Sequence, residues 1–282
     1  MARMAVLVTS CDAYSDLWDP FFQLMDTFWI PENGNTYPVY LNTETTQYNK
    51  EYLHFSVKSL NLIAGRNPAR TSWSRRTLDV LDRINEEYVF VLVEDFFLRE
   101  RVQTELIEQL LDQMDNDESI GQIQLFGTRI NCDKLQPNTI SDKLTLEQIG
   151  DDKAKVCFVP TIWRKSVLVH WMRTWETIWA FESCGAARAK RWKYQEKVFR
   201  VCSPAVFNYL WEKGCYCVVN GKWMMHPLLS ELFESNNIDI DFSKRGTITM
   251  EEWNRVDTKE ILRRYTLPQI VVKAINRFRS LF

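Results

Sequence analysis

The chain is poor in residues that mark several common activities. It has only nine glycines in 282 residues, and neither GxGxxG nor GxxxxGK[ST] occurs, which excludes the dinucleotide fingerprint and the phosphate-cradling P-loop. Seven cysteines (Cys11, Cys132, Cys157, Cys184, Cys202, Cys215 and Cys217) are odd in number and scattered, and with three histidines they offer no CxxC pair and no Cys/His cluster at zinc spacing. Most are expected to act as small buried hydrophobes, with Cys215 and Cys217 a structural pair on a strand. Neither sign of charge dominates: the net charge is -2 and the pI about 6.0, which argues against the basic surface of a general nucleic-acid binder. No apolar run approaches the length of a membrane span, and Met4 to Val8 is too short for a signal-peptide core, so a cytoplasmic location is expected.

What is present is a globular composition, 45% hydrophobic and 26% charged, in a chain long enough to bury a full core. Strand-like and helix-like patterns alternate along it. Ala5 to Thr9, Tyr37 to Leu41, Phe55 to Leu60, Tyr88 to Val93, Ile120 to Phe126, Val156 to Val159 and Val198 to Cys202 read as strands. Between them come helical patterns. One carries Leu17, Trp18, Phe21, Phe22, Met25 and Trp29, and a second carries Leu78, Leu81 and Ile84 at a spacing of three. A third runs from Val102 to about Met114, and a fourth carries Val167, Leu168 and Met172. Such alternation predicts a single Rossmann-like α/β/α sandwich with a mainly parallel central sheet. The polar stretch 127–155 reads as an excursion shaping a pocket. Asn220-Gly221 between two extended runs predicts a hairpin.

The most informative stretch is Tyr88-Val89-Phe90-Val91-Leu92-Val93-Glu94-Asp95, an unbroken apolar run ending in two adjacent carboxylates. A strand apolar on both faces belongs inside a parallel sheet covered by helices, and ligands of such sheets bind beyond the carboxyl ends of the strands. Because strand side chains alternate, one of the two acids is expected to face a ligand squarely; Asp95 is assigned that place and Glu94 the support. Asp12, after the first strand, has two readings: an acceptor for a base N–H or sugar hydroxyl, or a helix N-terminal cap or first-turn charge.

Together Val8-Thr9-Ser10-Cys11-Asp12, Trp73-Ser74-Arg75-Arg76, Glu94-Asp95-Phe96-Phe97-Leu98, Trp163-Arg164, Trp179-Ala180-Phe181-Glu182 and Gly221-Lys222-Trp223 with His226-Pro227 follow one another in an order that resembles bacterial GT-A-type glycosyltransferases of surface-polysaccharide (lipopolysaccharide or capsule) synthesis. The resemblance covers about residues 5 to 228. It implies a GT-A-like domain over 1–250, with a nucleotide-sugar half (1–126) and an acceptor half (127–250), and a C-terminal helical tail over 251–282. The implied function is transfer of a sugar from a nucleotide-sugar donor to a saccharide or lipid-linked acceptor. Thr9, Ser10, Asp12, Trp73, Arg76, Glu94 and Asp95 would bind the donor. Glu182, beside apolar neighbours that lift a carboxyl pKa, would be the general base, against the alternative of a surface glutamate.

Where that family places Asp-x-Asp for a divalent cation, this chain has Glu94-Asp95-Phe96. Two routes for stabilising the leaving diphosphate therefore stand side by side. One is Mg²⁺ or Mn²⁺ on Asp95, with His226 completing the site; the other is a set of cations from Arg75, Arg76 or the Arg188 to Arg200 cluster. Trp73, Trp163, Trp179 and Trp223 are candidate pocket walls, while Trp18 and Trp29 are assigned to the core. A nucleotidyl or phosphoryl transferase and a non-catalytic carbohydrate-binding protein are the competing classes. Beyond Pro268, Ile270, Val271, Ala274, Ile275, Phe278, Leu281 and Phe282 recur at helical spacing opposite Lys273 and Arg277. Such a helix suits either peripheral contact with the inner face of a membrane or docking on the domain.

Overall fold

The computed structural model describes residues 2–31, 36–60, 71–125, 138–141, 144–150, 155–158, 160–210 and 216–255, with 274, 275 and 278 beyond. The chain opens β1 (Met4–Thr9), a 3-10 segment over Asp12–Leu17, α1 (Trp18–Phe28), β2 (Val39–Asn42), β3 (Lys50–Glu51), β4 (Ser56–Ser59), α2 (Trp73–Leu81) and β5 (Tyr88–Val93). It continues through α3 (Thr104–Asn116), β6 (Ile120–Gln124), β7 (Asn138–Ser141), β8 (Leu144–Gln148), β9 (Thr161–Arg164), α4 (Lys165–Trp171), α5 (Ile178–Arg191) and β10 (Lys197–Ser203). A smaller unit of β11 (Val218–Val219), β12 (Lys222–Met224), α6 (Pro227–Ser235), β13 (Thr247–Ile248) and α7 (Met250–Arg255) follows.

Ten strands form one sheet in the order β3-β4-β2-β1-β5-β9-β6-β10-β8-β7, which takes strands from both sides of residue 126. From β4 through β2 and β1 to β5 all neighbours are parallel, as are β6 and β10. The outlier is β9, inserted antiparallel between β5 and β6. The α/β sandwich predicted from the sequence is therefore the observed class, with a sheet that is mixed at β9 and at its edges.

The alternation of side chains sorts the core into two layers. Met4, Val6 and Val8 of β1 and Tyr88, Phe90 and Leu92 of β5 pack against α1 and α3. Ala5, Leu7, Val89 and Val91 point the other way, against α2, α4 and α5. From Tyr88 to Leu92 every side chain of β5 is buried, so this strand is apolar because both of its faces are covered. Burial of one such Val, Leu or Phe side chain contributes about 1.5–3 kcal/mol, and the strand's position is over-determined as a result.

Several sequence expectations change. No strand forms at 156–158; the strand is β9, which starts just after Pro160, because Ile162 and Trp163 carry the apolar side chains that both layers need. The polar stretch 127–155 is not wholly an excursion, since β7 and β8 pair antiparallel at the sheet edge, with Leu144 and Leu146 turned into the core. Ile84 is buried as expected but lies beyond the end of α2. Cys217 is buried, with its thiol toward the Leu210 carbonyl, and Cys215 lies outside the described residues. The Asn220-Gly221 hairpin forms as read, with φ of 50° and 75° at the two turn residues joining β11 and β12. Among the described residues no helix is long and apolar enough to cross a membrane. The helical tail falls almost wholly outside the described residues.

A buried ion pair joins the helices of the second layer. Arg188 of α5 donates to both carboxylate oxygens of Glu176, at 2.5 and 3.3 Å, and to the Trp171 carbonyl at 2.8 Å, with both charged side chains fully buried. Glu176 is tied by its backbone to Ser74 at the start of α2, so the pair sets the position of α2 against α5. Removing one partner strands a charge in the core, whereas replacing both need not be unfavourable. Arg188→Ala is expected to lower unfolding free energy by about 3–5 kcal/mol in urea titrations, and the double variant Glu176→Leu/Arg188→Met by less than that. Equal losses in the two proteins would mean that packing, rather than the uncompensated charge, dominates.

Candidate functional site

At the carboxyl ends of β1 and β5 the two-layer alternation continues past the last paired residues. Thr9 pairs in register with Val93, so Ser10 and Glu94 come next and point toward the α1 layer. The Ser10 hydroxyl donates to Glu94 Oε1 at 2.7 Å, and Trp18 of α1 donates its indole N–H to the same Ser10 oxygen at 2.7 Å. Thr9 points the opposite way and accepts the indole N–H of Trp73, from the first turn of α2, at 2.7 Å. Ser72 caps that helix by accepting the Arg75 amide, which brings both Trp73 and Arg76 over the strand ends. Arg76 is buried; it donates to the Ser10 carbonyl at 3.2 Å and pairs with Glu44 at 3.7 Å. Thr9, Ser10, Trp73, Arg76, Glu94 and Asp95 are thus brought together at one edge of the sheet.

Glu94 is only 6% exposed, while its neighbour Asp95 is half-buried at the turn. Burial, followed by the adjacent Asp95 charge, pushes the Glu94 carboxyl well above the usual glutamate range, against the lowering effect of the Ser10 hydroxyl. The magnitudes agree with that direction: desolvating a carboxylate costs several kcal/mol, and one hydrogen bond returns about 1 kcal/mol. Asp95 is also raised, chiefly by burial, with Arg245 pulling it back down. Both carboxyl groups therefore hold their protons to a higher pH than free acids do.

The remaining sequence candidates lie around this centre in different roles. Asp12 is a first-turn acid of the 3-10 segment rather than its cap, and its carboxylate accepts the backbone N–H groups of Glu44 (3.0 Å), Thr45 (3.0 Å) and Thr46 (3.1 Å), which fixes the loop after β2. Burial acts upward on Asp12 but is outweighed by the Thr45 hydroxyl and these amides, so its pKa is lowered. Glu182 lies on α5 in the other layer, where it accepts the Phe158 amide at 2.9 Å beside the Trp73, Phe158 and Phe181 rings. Burial raises its pKa and the Phe158 amide opposes this. His226 caps α6, with Nδ1 accepting the Leu228 amide, and no group of three His, Cys, Asp or Glu suited to a metal gathers among the described residues.

Of the proposed cation cluster, Arg188 is committed to Glu176, and Arg200 is buried on β10 with its guanidinium toward Gln124. Arg75 forms an ion pair with Asp79 along the outside of α2. None of the three reaches the strand ends in these contacts. Trp163 and Trp223 are fully buried core residues rather than pocket walls, as the apolar layers on both faces require; Trp179 is 76% exposed on α5. Trp18 and Trp29 are core residues, as expected.

Three residues at the carboxyl pair had no signal in the local sequence. Arg245 stacks 4.7 Å above the Tyr14 ring, holds Asp16 in an ion pair, and donates to the Gly221 carbonyl at 3.0 Å. It lowers both Glu94 and Asp95, so it is the nearby positive charge of this centre. Tyr14 and Tyr209 feel the pair in return: after burial, the charges of Asp95 and Glu94 raise both phenols. Arg245 is 229 residues from Asp16, a pairing that no periodicity encodes. An open groove of about 810 Å³ runs from Tyr14, Asp16 and Arg245 along Gly221, Lys222 and Asp241.

No protein-family model and no characterised protein sequence matches this chain. Solved structures with a similar course of the chain include S. aureus TarS 1–349, at 10% identity and a TM-score of 0.46, covering 73% of this chain and 59% of that one. S. aureus TarS 1–349 in complex with UDP-GlcNAc is another, at 10% identity and a TM-score of 0.44, covering 86% and 69%. A third is CMP:2-keto-3-deoxy-manno-octonic acid synthetase complexed with CTP, at 11% identity and a TM-score of 0.39, covering 72% and 92%. Likeness at this level assigns neither substrate nor reaction.

The raised Glu94 carboxyl has a consequence for stability. Between its ordinary value of 4.5 and its higher folded value, the folded chain holds a proton that the unfolded chain has released, so stability present in mild acid is lost as pH rises through that window. Glu94→Gln, which keeps the shape without the titration, is expected to flatten the decline and to be more stable than the parent at pH 8 to 9. Unfolding midpoints measured from about pH 5 to 9 check this; parallel curves for the two proteins would contradict it.

Proposed function

We propose that this protein is a glycosyltransferase that moves a sugar from a nucleotide-sugar donor to a saccharide or lipid-linked acceptor, with inversion, in cell-surface polysaccharide synthesis. The observation that carries the reading is the convergence of Thr9, Ser10, Trp73, Arg76, Glu94 and Asp95 on the carboxyl ends of two adjacent parallel strands. That edge is where open α/β sheets bind ligands. In this reading Thr9, Ser10, Asp12, Trp73 and Arg76 form the donor's floor. Asp12 acts through the 44–46 loop that it fixes, and Asp95 faces the ligand with Glu94 behind it.

The chemistry needs a base for the acceptor hydroxyl and compensation of the departing diphosphate. Glu182, its pKa raised by burial, takes the acceptor proton while the acceptor oxygen bonds the anomeric carbon and the bond to the diphosphate breaks. A divalent cation, when bound, would neutralise the diphosphate charge. Asp95 would be the carboxylate that holds Mg²⁺ or Mn²⁺, and His226 would have only Nε2 to offer. Arg76 and Arg245 supply positive charge from the chain itself.

Incubation with a panel of nucleotide sugars should give thermal stabilisation and slow release of free nucleoside diphosphate. Release of pyrophosphate from a nucleoside triphosphate and a sugar would instead favour a nucleotidyltransferase. Asp95→Asn is expected to abolish transfer, and Glu182→Gln to leave donor affinity unchanged while lowering turnover by about 10²-fold or more. Parental turnover in either variant removes that residue from its role, and full activity in EDTA assigns the diphosphate to the arginines. Peripheral membrane contact rests on the basic, apolar sequence after Ile261, and it predicts salt-sensitive sedimentation with anionic vesicles that is lost on truncation after Tyr265.

A further inference from the structure

The segment that follows the two carboxylates is clamped by the chain at 206–210. The Leu210 amide donates to the Phe97 carbonyl at 2.8 Å and the Arg99 amide to the Asn208 carbonyl at 3.1 Å, while Leu98 and Tyr209 form an antiparallel bridge. The Tyr209 ring stacks on Phe96, the residue next to Asp95, with centroids 5.6 Å apart, and meets Phe207 edge-on. This packing fixes the ring. Tyr209 is 4% exposed, and its hydroxyl is buried with no hydrogen-bond partner among the described residues.

A buried hydroxyl without a partner is unfavourable, and almost all buried polar groups avoid that state. Core packing alone does not explain it, since phenylalanine at this position would keep every ring contact. The hydroxyl also lies within electrostatic reach of both carboxyl groups, whose charges add to burial in raising it. A rigid O–H donor within electrostatic reach of two acids capable of accepting is a donor and acceptor set matched to a polyol. A phosphate with no cation between would be repelled by the same acids.

We infer that Tyr209 and Asp95 form the subsite for the hydroxyl groups of the donor's sugar, with the Tyr209 O–H donating to a sugar oxygen and the Asp95 carboxylate accepting from a neighbouring sugar hydroxyl. This rests on the nucleotide-sugar reading and adds to it the part of the donor that Tyr209 recognises. Tyr209 acts here as a specificity-determining residue, and the nucleotide portion is bound elsewhere on the edge, by Thr9, Ser10 and Arg76.

The test compares the full-length parent with Tyr209→Phe by calorimetric titration, using UDP-, CDP-, GDP- and dTDP-sugars and the matching nucleoside diphosphates. The variant is expected to be at least as stable as the parent, because it loses only an unpaired hydroxyl. Affinity for the bound nucleotide sugar should fall about ten-fold, while affinity for the matching diphosphate stays the same. A parent that binds diphosphate and nucleotide sugar, with a variant that loses neither or loses both equally, overturns the subsite and leaves the donor reading standing. A parent that binds no member of the panel overturns both. A variant that loses stability shows that the hydroxyl has a structural partner and also removes the inference.

Discussion

A carboxyl group held almost out of water at the end of a parallel strand governs the arrangement of this site. Glu94 is buried because β5 is buried, and β5 is buried because helices cover both faces of the sheet. The cost of desolvating that acid exceeds what its one side-chain hydrogen bond from Ser10 returns, so the proton affinity of the pair rises. Asp95, one residue on, is half-buried at the turn, and the Arg245 charge lowers both acids although it comes from a distant part of the chain.

The same strand alternation that fixes Glu94 divides the candidate site between two layers. Ser10, Trp18 and Glu94 belong to the α1 face, whereas Thr9, Trp73, Phe158 and Glu182 belong to the α2 and α5 face. Trp73 spans the division, since its indole reaches Thr9 while its ring packs on Phe158 and Phe181. A ligand lying across the strand ends would therefore meet carboxyl groups on one side and Trp73, backed by buried aromatic rings, on the other. The ion pair of Glu176 and Arg188 keeps α2 and α5 in a fixed relation, which holds those rings in place.

What was legible in the sequence was local. An apolar run ending in Glu94-Asp95 encodes its own burial and its own exit point, and the pattern through Trp18, Phe22 and Met25 encodes one face of α1. Thr9, Ser10, Trp73, Arg76 and Glu94 meet at one edge of the sheet. The antiparallel insertion of β9 was not legible, because a short apolar run has the same pattern whichever direction it is paired. Arg188 looked like a member of a basic cluster, and only the fold reveals Glu176 beside it. Arg245 and Tyr209 reach the site through contacts between distant parts of the chain, so their place follows from topology and from no motif.

The central claim is that the carboxyl edge of β1 and β5 receives the nucleotide end of a sugar donor. Hydrogen–deuterium exchange of the full-length protein, with and without saturating nucleoside diphosphate, tests this most directly. The account predicts slowed exchange in peptides covering residues 9–14 and 94–98, with little change along β7 and β8 at the far edge of the sheet. Binding accompanied by protection confined to other parts of the chain would contradict it.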